Sequence, residues 1–368
     1  MTGSPQIGID IRAMLAPALG GVGRYVRNLV LHLADLPDLP PTLLYADRPA
    51  AQVKLELPAQ APMRVRPVLA PRGWLRAALP LAAWRDGVRL VHFPSTVLPP
   101  VLAARRVVTV YDLAFEFFPD TYSPADLAMQ RRAVRGAVRA DLVIADSQST
   151  ADDLVARHRL PPERIRTIPL AAEARFFAPP PPDEQPPLGL APGYLLYVGA
   201  LQPRKNLARL IEAYAMACRQ GLDRPLVLAG AGEAAHVEML RQRAENYRVQ
   251  ERVIFPGYVA DEALPALYRG AWALVYVSLY EGFGLPPLEA MACGTPAVAA
   301  NGSCFPEVLG EAALLVDPLD VGAISRALVA IAEPRTRGQY ARRGRAQAGR
   351  FSWQDTARRT LAAYRELL

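Results

Sequence analysis

Short runs of apolar, often β-branched residues alternate along the chain with longer stretches in which apolar positions recur every three or four residues. The runs at 7–11, 42–46, 63–68, 88–93, 107–111, 142–145 and 165–169 predict strands, because unbroken apolarity over a few positions suits a strand buried on both faces. The stretches 22–36, 124–139 and 147–158 predict helices between them. Such alternation predicts a parallel sheet covered by helices on both sides. From 178 to 193 the chain reads APPPPDEQPPLGLAPG, where repeated proline forbids both helix and central strand. The alternation then resumes at 194–198, 226–229, 253–256, 273–277, 297–300 and 313–316, and three helical stretches close the chain. The pattern therefore predicts two α/β domains, 1–177 and 194–352, a proline-rich hinge linker at 178–193, and a final helix at 353–368.

A length of 368 residues agrees with two domains, and 51% hydrophobic against 21% charged residues excludes wholesale disorder. The formal charge is +7, yet only Lys54 and Lys205 are lysines. Up to position 180 there are 22 basic and 16 acidic residues, and beyond it 20 and 19, so the excess belongs to the N-terminal half. Arginine, proline and alanine are abundant together, which reads as coding bias and not as nucleic-acid binding. Cys218, Cys293 and Cys304 form no metal-spaced set with the four histidines, and no basic-then-apolar leader or long apolar span is present. The expectation is a reduced, cytoplasmic chain without a structural metal.

Gly20 and Gly21 in GGVGRY follow the first strand and open the first helix, where glycine admits a close ligand and helix N–H groups suit phosphate. A tight turn without a ligand is the alternative. Gly230-Ala231-Gly232 fits a dinucleotide fingerprint, but no acid follows the next strand to hold a ribose, which speaks against a nicotinamide enzyme. Arg204 and Lys205, in PRKN after the first strand of the second domain, offer two cations for a diphosphate. Glu281 and Glu289 in EGFGLPPLE are separated by seven residues, with glycines between them and a helix starting near Pro286 or Pro287. Glu281 is expected on the loop and Glu289 in the first helical turn, so that both carboxylates meet one ligand; such groups accept hydrogen bonds from sugar and ribose hydroxyls.

EGFGLPPLEAMACGTP, with GGVGRY, PRKN and Pro306-Glu307-Val308, closely resembles the retaining family 4 glycosyltransferases of GT-B fold, over nearly the whole chain. The resemblance implies two Rossmann-like parallel-sheet domains facing a central crevice, with the last helix crossing back to the first domain. It implies that Gly20, Gly21, Arg204 and Lys205 serve the donor diphosphate. Glu281 would hold the transferred sugar, assisted by the backbone of Phe283, Gly284 and Leu285; Glu289 would bind the ribose, and Tyr258 and Val259 would meet the base through the main chain. Where relatives often carry His-Asp beside the sugar, this chain has Tyr111-Asp112, and Ala200 stands where some members have arginine. The implied reaction needs no cofactor and no metal. It moves a sugar from a nucleotide diphosphate to a glycan or lipid-linked acceptor hydroxyl. The subgroup resembled includes many bacterial mannosyltransferases using GDP-mannose; a UDP-sugar donor, or binding without turnover, is the alternative. Two N-terminal stretches suit peripheral contact with an anionic membrane: the Arg131, Arg135, Arg139 face, and the segment from Arg72 to Arg85 with Trp74 and Trp84. A solvated arginine face and a core-packed helix interrupted at Pro80 are the alternative.

Overall fold

The computed structural model describes residues 5–16, 20–70 and 72–368. The chain forms two compact units, Met1–Leu170 with Ser352–Leu368, and Ala171–Phe351. Among the described residues, the first unit holds β1 Ile7–Asp10, β2 Thr42–Ala46, β3 Met63–Pro67, β4 Leu90–Phe93, β5 Arg105–Val110, β6 Leu142–Ala145 and β7 Ile165–Thr167. Their order is β3-β2-β1-β4-β5-β6-β7, every pair parallel. β1, β2, β4 and β6 are buried at every position, which is why they read as unbroken apolar runs. Strand β4 begins two residues later than the apolar run predicts. The helix Leu79–Asp86 ends in a left-handed Gly87, and Val88 turns its N–H back to the Ala83 carbonyl at 3.2 Å before the strand can start.

The second unit holds β8 Tyr194–Val198, β9 Leu226–Ala229, β10 Val253–Gly257, β11 Ala271–Tyr276, β12 Ala297–Ala300 and β13 Leu314–Val316. They form one parallel sheet in the order β10-β9-β8-β11-β12-β13. The strand order reverses between β8 and β11. Loops leaving the carboxyl ends of these two neighbours therefore diverge and open a crevice, the usual ligand position of a doubly wound sheet.

The proline segment differs from the expected hinge. The units part between Leu170 and Ala171, and residues 178–193 lie within the second unit. Glu184 forms an ion pair with Arg269, the Gly193 N–H donates to the Gly270 carbonyl at 2.8 Å, and Pro186 sits against Gly270. Apart from a 3-10 turn at Pro187–Gly189 the segment forms no helix or strand, and side-chain and backbone anchors hold it down. The helix Trp353–Arg365 belongs to the first unit. It packs Trp353 against Tyr25 and His32, and its Thr356 hydroxyl donates to the Pro169 carbonyl at 2.7 Å.

Candidate functional site

At the switch point of the second sheet, β8 leads through Gly199 into a turn at Pro203–Lys205, and β11 leads into the loop 277–284. Asn206 stitches the two together. Its amide donates to the Val277 carbonyl at 3.0 Å and the Pro318 carbonyl at 2.7 Å, while its left-handed backbone starts the helix Leu207–Arg219. The Leu279 N–H donates to the Arg204 carbonyl at 3.0 Å, and the Arg204 guanidinium donates to the Tyr280 carbonyl. Two loops far apart in sequence are thus one unit.

Within it, Glu281 lies between two cations. Lys205 Nζ pairs with Oε1, and an Arg204 nitrogen stands 3.3 Å from Oε2. All three side chains are nearly buried. Burial raises the Glu281 carboxyl, but the Lys205 and Arg204 charges outweigh it and hold the group below its usual value. Glu281 is therefore an anion that accepts hydrogen bonds and not a proton donor near neutral pH. The cluster carries two positive charges against one negative, so it favours a further anion.

Two contributors escape sequence reading. Ser303 Oγ accepts the Glu281 N–H at 3.1 Å, from a left-handed serine with φ of 48° just ahead of the Pro306-Glu307-Val308 motif. Tyr276, which reads as the last apolar position of β11, places its hydroxyl 3.4 Å from Lys205 Nζ and stacks on Tyr197 with ring centres 5.3 Å apart. Neither carries a signal in the sequence: the left-handed serine and the strand-end tyrosine are recognised only in the fold.

Other expected residues fall out differently. The helix Leu285–Ala292 starts from a left-handed Gly284, whose Cβ would stand 2.7 Å from the Phe305 ring. Glu289 is its fifth residue, one or two positions later in the helix than expected, and is buried with Oε2 accepting the Tyr268 hydroxyl at 2.9 Å. The structure thus joins Glu281 to Lys205 and Arg204 and directs Glu289 toward Tyr268. Phe283 and Val259 are buried, and Tyr258 is exposed beyond the left-handed Gly257 at the end of β10. Gly230 and Gly232 are explained without a ligand: a Cβ on either would collide with the Gly199 or Leu201 carbonyl.

On the first unit, Gly20 caps and Gly21 begins the helix Gly21–Ala34, both exposed. Gly20 has an ordinary φ of −74°, and a Cβ on either residue would meet nothing within 4 Å. Neither packing nor conformation demands glycine there, in contrast to Gly230. Tyr111 donates its hydroxyl to the Pro94 carbonyl at 2.7 Å and meets Tyr25 edge-on, and burial pushes its phenol well up. Asp112 accepts the Ala114 N–H at 2.9 Å as a turn cap. Both residues have structural work at the end of β5.

Comparison with known proteins matches residues 183–347 to the family model described as glycosyl transferases group 1, and residues 19–176 to that described as glycosyltransferase family 4. O-antigen chain mannosyltransferase B of Escherichia coli is 34% identical over 373 residues, covering 95% of this chain and 97% of that protein. The serotype-specific mannosyltransferase WbdA of Escherichia coli is 32% identical over 238 residues, 62% of this chain and 29% of that longer protein. Among solved structures, sucrose-phosphate synthase from Thermosynechococcus elongatus superposes with a TM-score of 0.76 at 23% identity, covering 99% of each chain. Anabaena HepE in complex with UDP-glucose gives 0.72 at 21% identity, over 99% of this chain and 100% of that one. Both structural likenesses show the fold, two Rossmann-like parallel-sheet domains of GT-B type.

Proposed function

We propose that this chain, which belongs to the group 1, family 4 glycosyltransferases, moves mannose from GDP-mannose to an acceptor hydroxyl with the anomeric configuration kept. Family membership along nearly the whole length makes it an enzyme that transfers a sugar from a nucleotide-sugar donor to an acceptor. The mannose reading is supported by the 34% identity to a protein named as a mannosyltransferase.

The observation that carries the mechanism is the Glu281 carboxylate held between Lys205 and Arg204. A donor diphosphate entering this cluster gains two cations, which stabilise the charge that grows on the leaving oxygen. As the cations turn to phosphate, Glu281 is released to accept hydrogen bonds from sugar hydroxyls and to fix the ring. In the proposed same-face step the bond from the anomeric carbon to the phosphate oxygen breaks, the acceptor oxygen bonds to that carbon, and its proton passes to the departing phosphate oxygen. The protein acts by positioning and by charge. Glu281, kept ionised by its neighbours, takes no part as an acid.

A thermal-shift panel of GDP, UDP, ADP and TDP tests the donor, since a ligand at about a hundred times its Kd adds about 2.7 kcal/mol of apparent stability. GDP is expected to stabilise most, and GDP-mannose to be consumed. Stabilisation by UDP alone overturns the GDP-mannose reading. The volume-keeping variants Glu281→Gln and Lys205→Met are expected to lose about 100-fold or more in turnover while remaining folded. Full turnover in either removes the cluster from the mechanism.

A further inference from the structure

Residues 69–85 of the first unit have no part in the chemistry above. Between positions 68 and 85 the chain has three arginines, Arg72, Arg76 and Arg85, and no acid. Left-handed Gly73 opens the segment, a π turn at Trp74–Ala78 runs into the helix Leu79–Asp86, and Gly87 closes it. Pro80 is absorbed near the helix start and does not interrupt it. The underside is fixed: Leu79, Ala82 and Ala83 are buried, and Trp74 donates its indole N–H to the Val68 carbonyl at 2.8 Å.

The upper face is of a different kind. Leu81 and Trp84, three residues apart and so on one side of the helix, are 45% and 67% exposed. Leu69 is 65% exposed, and Arg72, Arg76 and Arg85 of the same segment are exposed as well. Asp86, the nearest acid in sequence, is engaged by Arg66 at 2.9 Å and by the Tyr45 hydroxyl at 3.2 Å. The charge of the whole unit points the same way. The first unit has 24 basic and 17 acidic residues, a net of +7, and the second has 18 of each, a net of zero.

We propose that this helix docks flat on an anionic lipid surface. Trp84 and Leu81 enter the boundary between headgroups and acyl chains, and Arg72, Arg76 and Arg85 meet the headgroup phosphates. Charge complementarity selects this occupant: an acid-free apolar ridge among arginines matches anionic lipid and repels a second copy of the same face. The helix Pro124–Ala137 also exposes Arg131, Arg132 and Arg135, but Met129 is its one large exposed apolar side chain among the described residues, so it supplies charge without an inserting ridge.

The test uses the full chain with vesicles of phosphatidylglycerol and phosphatidylcholine, compared with phosphatidylcholine alone. Of the four tryptophans, Trp74 and Trp353 are buried and Trp272 is half-buried, so a blue shift on adding anionic vesicles reports Trp84. Leu81→Ser with Trp84→Ser is expected to weaken vesicle binding at least about ten-fold. Arg76→Gln and Arg85→Gln are expected to weaken it about five-fold each, and added salt to weaken it further. These positions are exposed, so the thermal midpoint and the nucleotide-induced shift are expected to stay as in the parent, which separates this test from that of the donor. Binding unchanged by the serine pair, equal binding to both vesicle types, or loss of a dimer in the serine pair overturns the proposal; the last would assign the face to a second copy.

Discussion

Lys205 is held by more than its partner carboxylate. Its ammonium lies 5.5 Å from the centre of the Tyr276 ring, and that ring is fixed by Tyr197 on one face and by the edge of Phe305, with centres 6.0 Å apart. Tyr276→Phe keeps the stack and the ring beneath the cation and removes one hydroxyl. It is expected to lower kcat about five- to ten-fold while costing at most about 1.5 kcal/mol of stability, read by steady-state kinetics and thermal unfolding. Tyr276→Leu removes the ring as well and is expected to cost more on both counts. A Phe variant with parental kcat shows that the hydroxyl does not position Lys205. Lys205 and Glu281 were legible because each sits in a short string of unusual composition. Tyr276 was not, because its role depends on a contact across 71 residues, and within β11 it is one more large side chain.

Elements divide the glycines in a way that motif spelling does not. Gly230 has a φ of 144° and no room for a Cβ, so Gly230→Ala is expected to destabilise the second unit by about 3 kcal/mol or more in denaturant unfolding. Gly20→Ala meets no neighbour and is expected to cost about 1 kcal/mol or less at a helix cap, yet to lower turnover at least about ten-fold if the glycine is there for a ligand. Parental turnover in Gly20→Ala would make it an ordinary turn. The dinucleotide-like spelling at 230–232 therefore marks backbone touching backbone between β8 and β9. Strands were readable to within about two residues at each end because parallel sheets bury both faces. The proline segment misled as a boundary: local chemistry shows where regular structure stops, and only tertiary anchors such as Glu184 with Arg269 show which unit owns the segment.

At the scale of the whole molecule, the chain returns its last helix to the unit it began with, and the seam includes a buried polar chain. His92 on β4 is fully buried, with Nδ1 2.6 Å from the Tyr364 hydroxyl of the final helix and Nε2 2.8 Å from Thr109 Oγ1 on β5. Burial disfavours the charged ring and pulls its pKa down to about 3. The unfolded chain, with an ordinary histidine near 6.5, thus binds a proton that the folded unit refuses over the interval between the two values. Stability from this site is complete above about pH 6.5 and falls by about 1.4 kcal/mol per pH unit below it, until the folded value is reached. Three of the four tryptophans, Trp74, Trp84 and Trp353, lie in this unit, so urea unfolding followed by their fluorescence at pH 7, 6 and 5 reads it directly. The parent is expected to lose stability more steeply with acid than His92→Gln, which keeps a polar side chain against Tyr364 and Thr109 but cannot titrate. Equal slopes would mean that His92 gains its proton as readily in the fold as outside it, and that the seam between the last helix and the sheet is open to water.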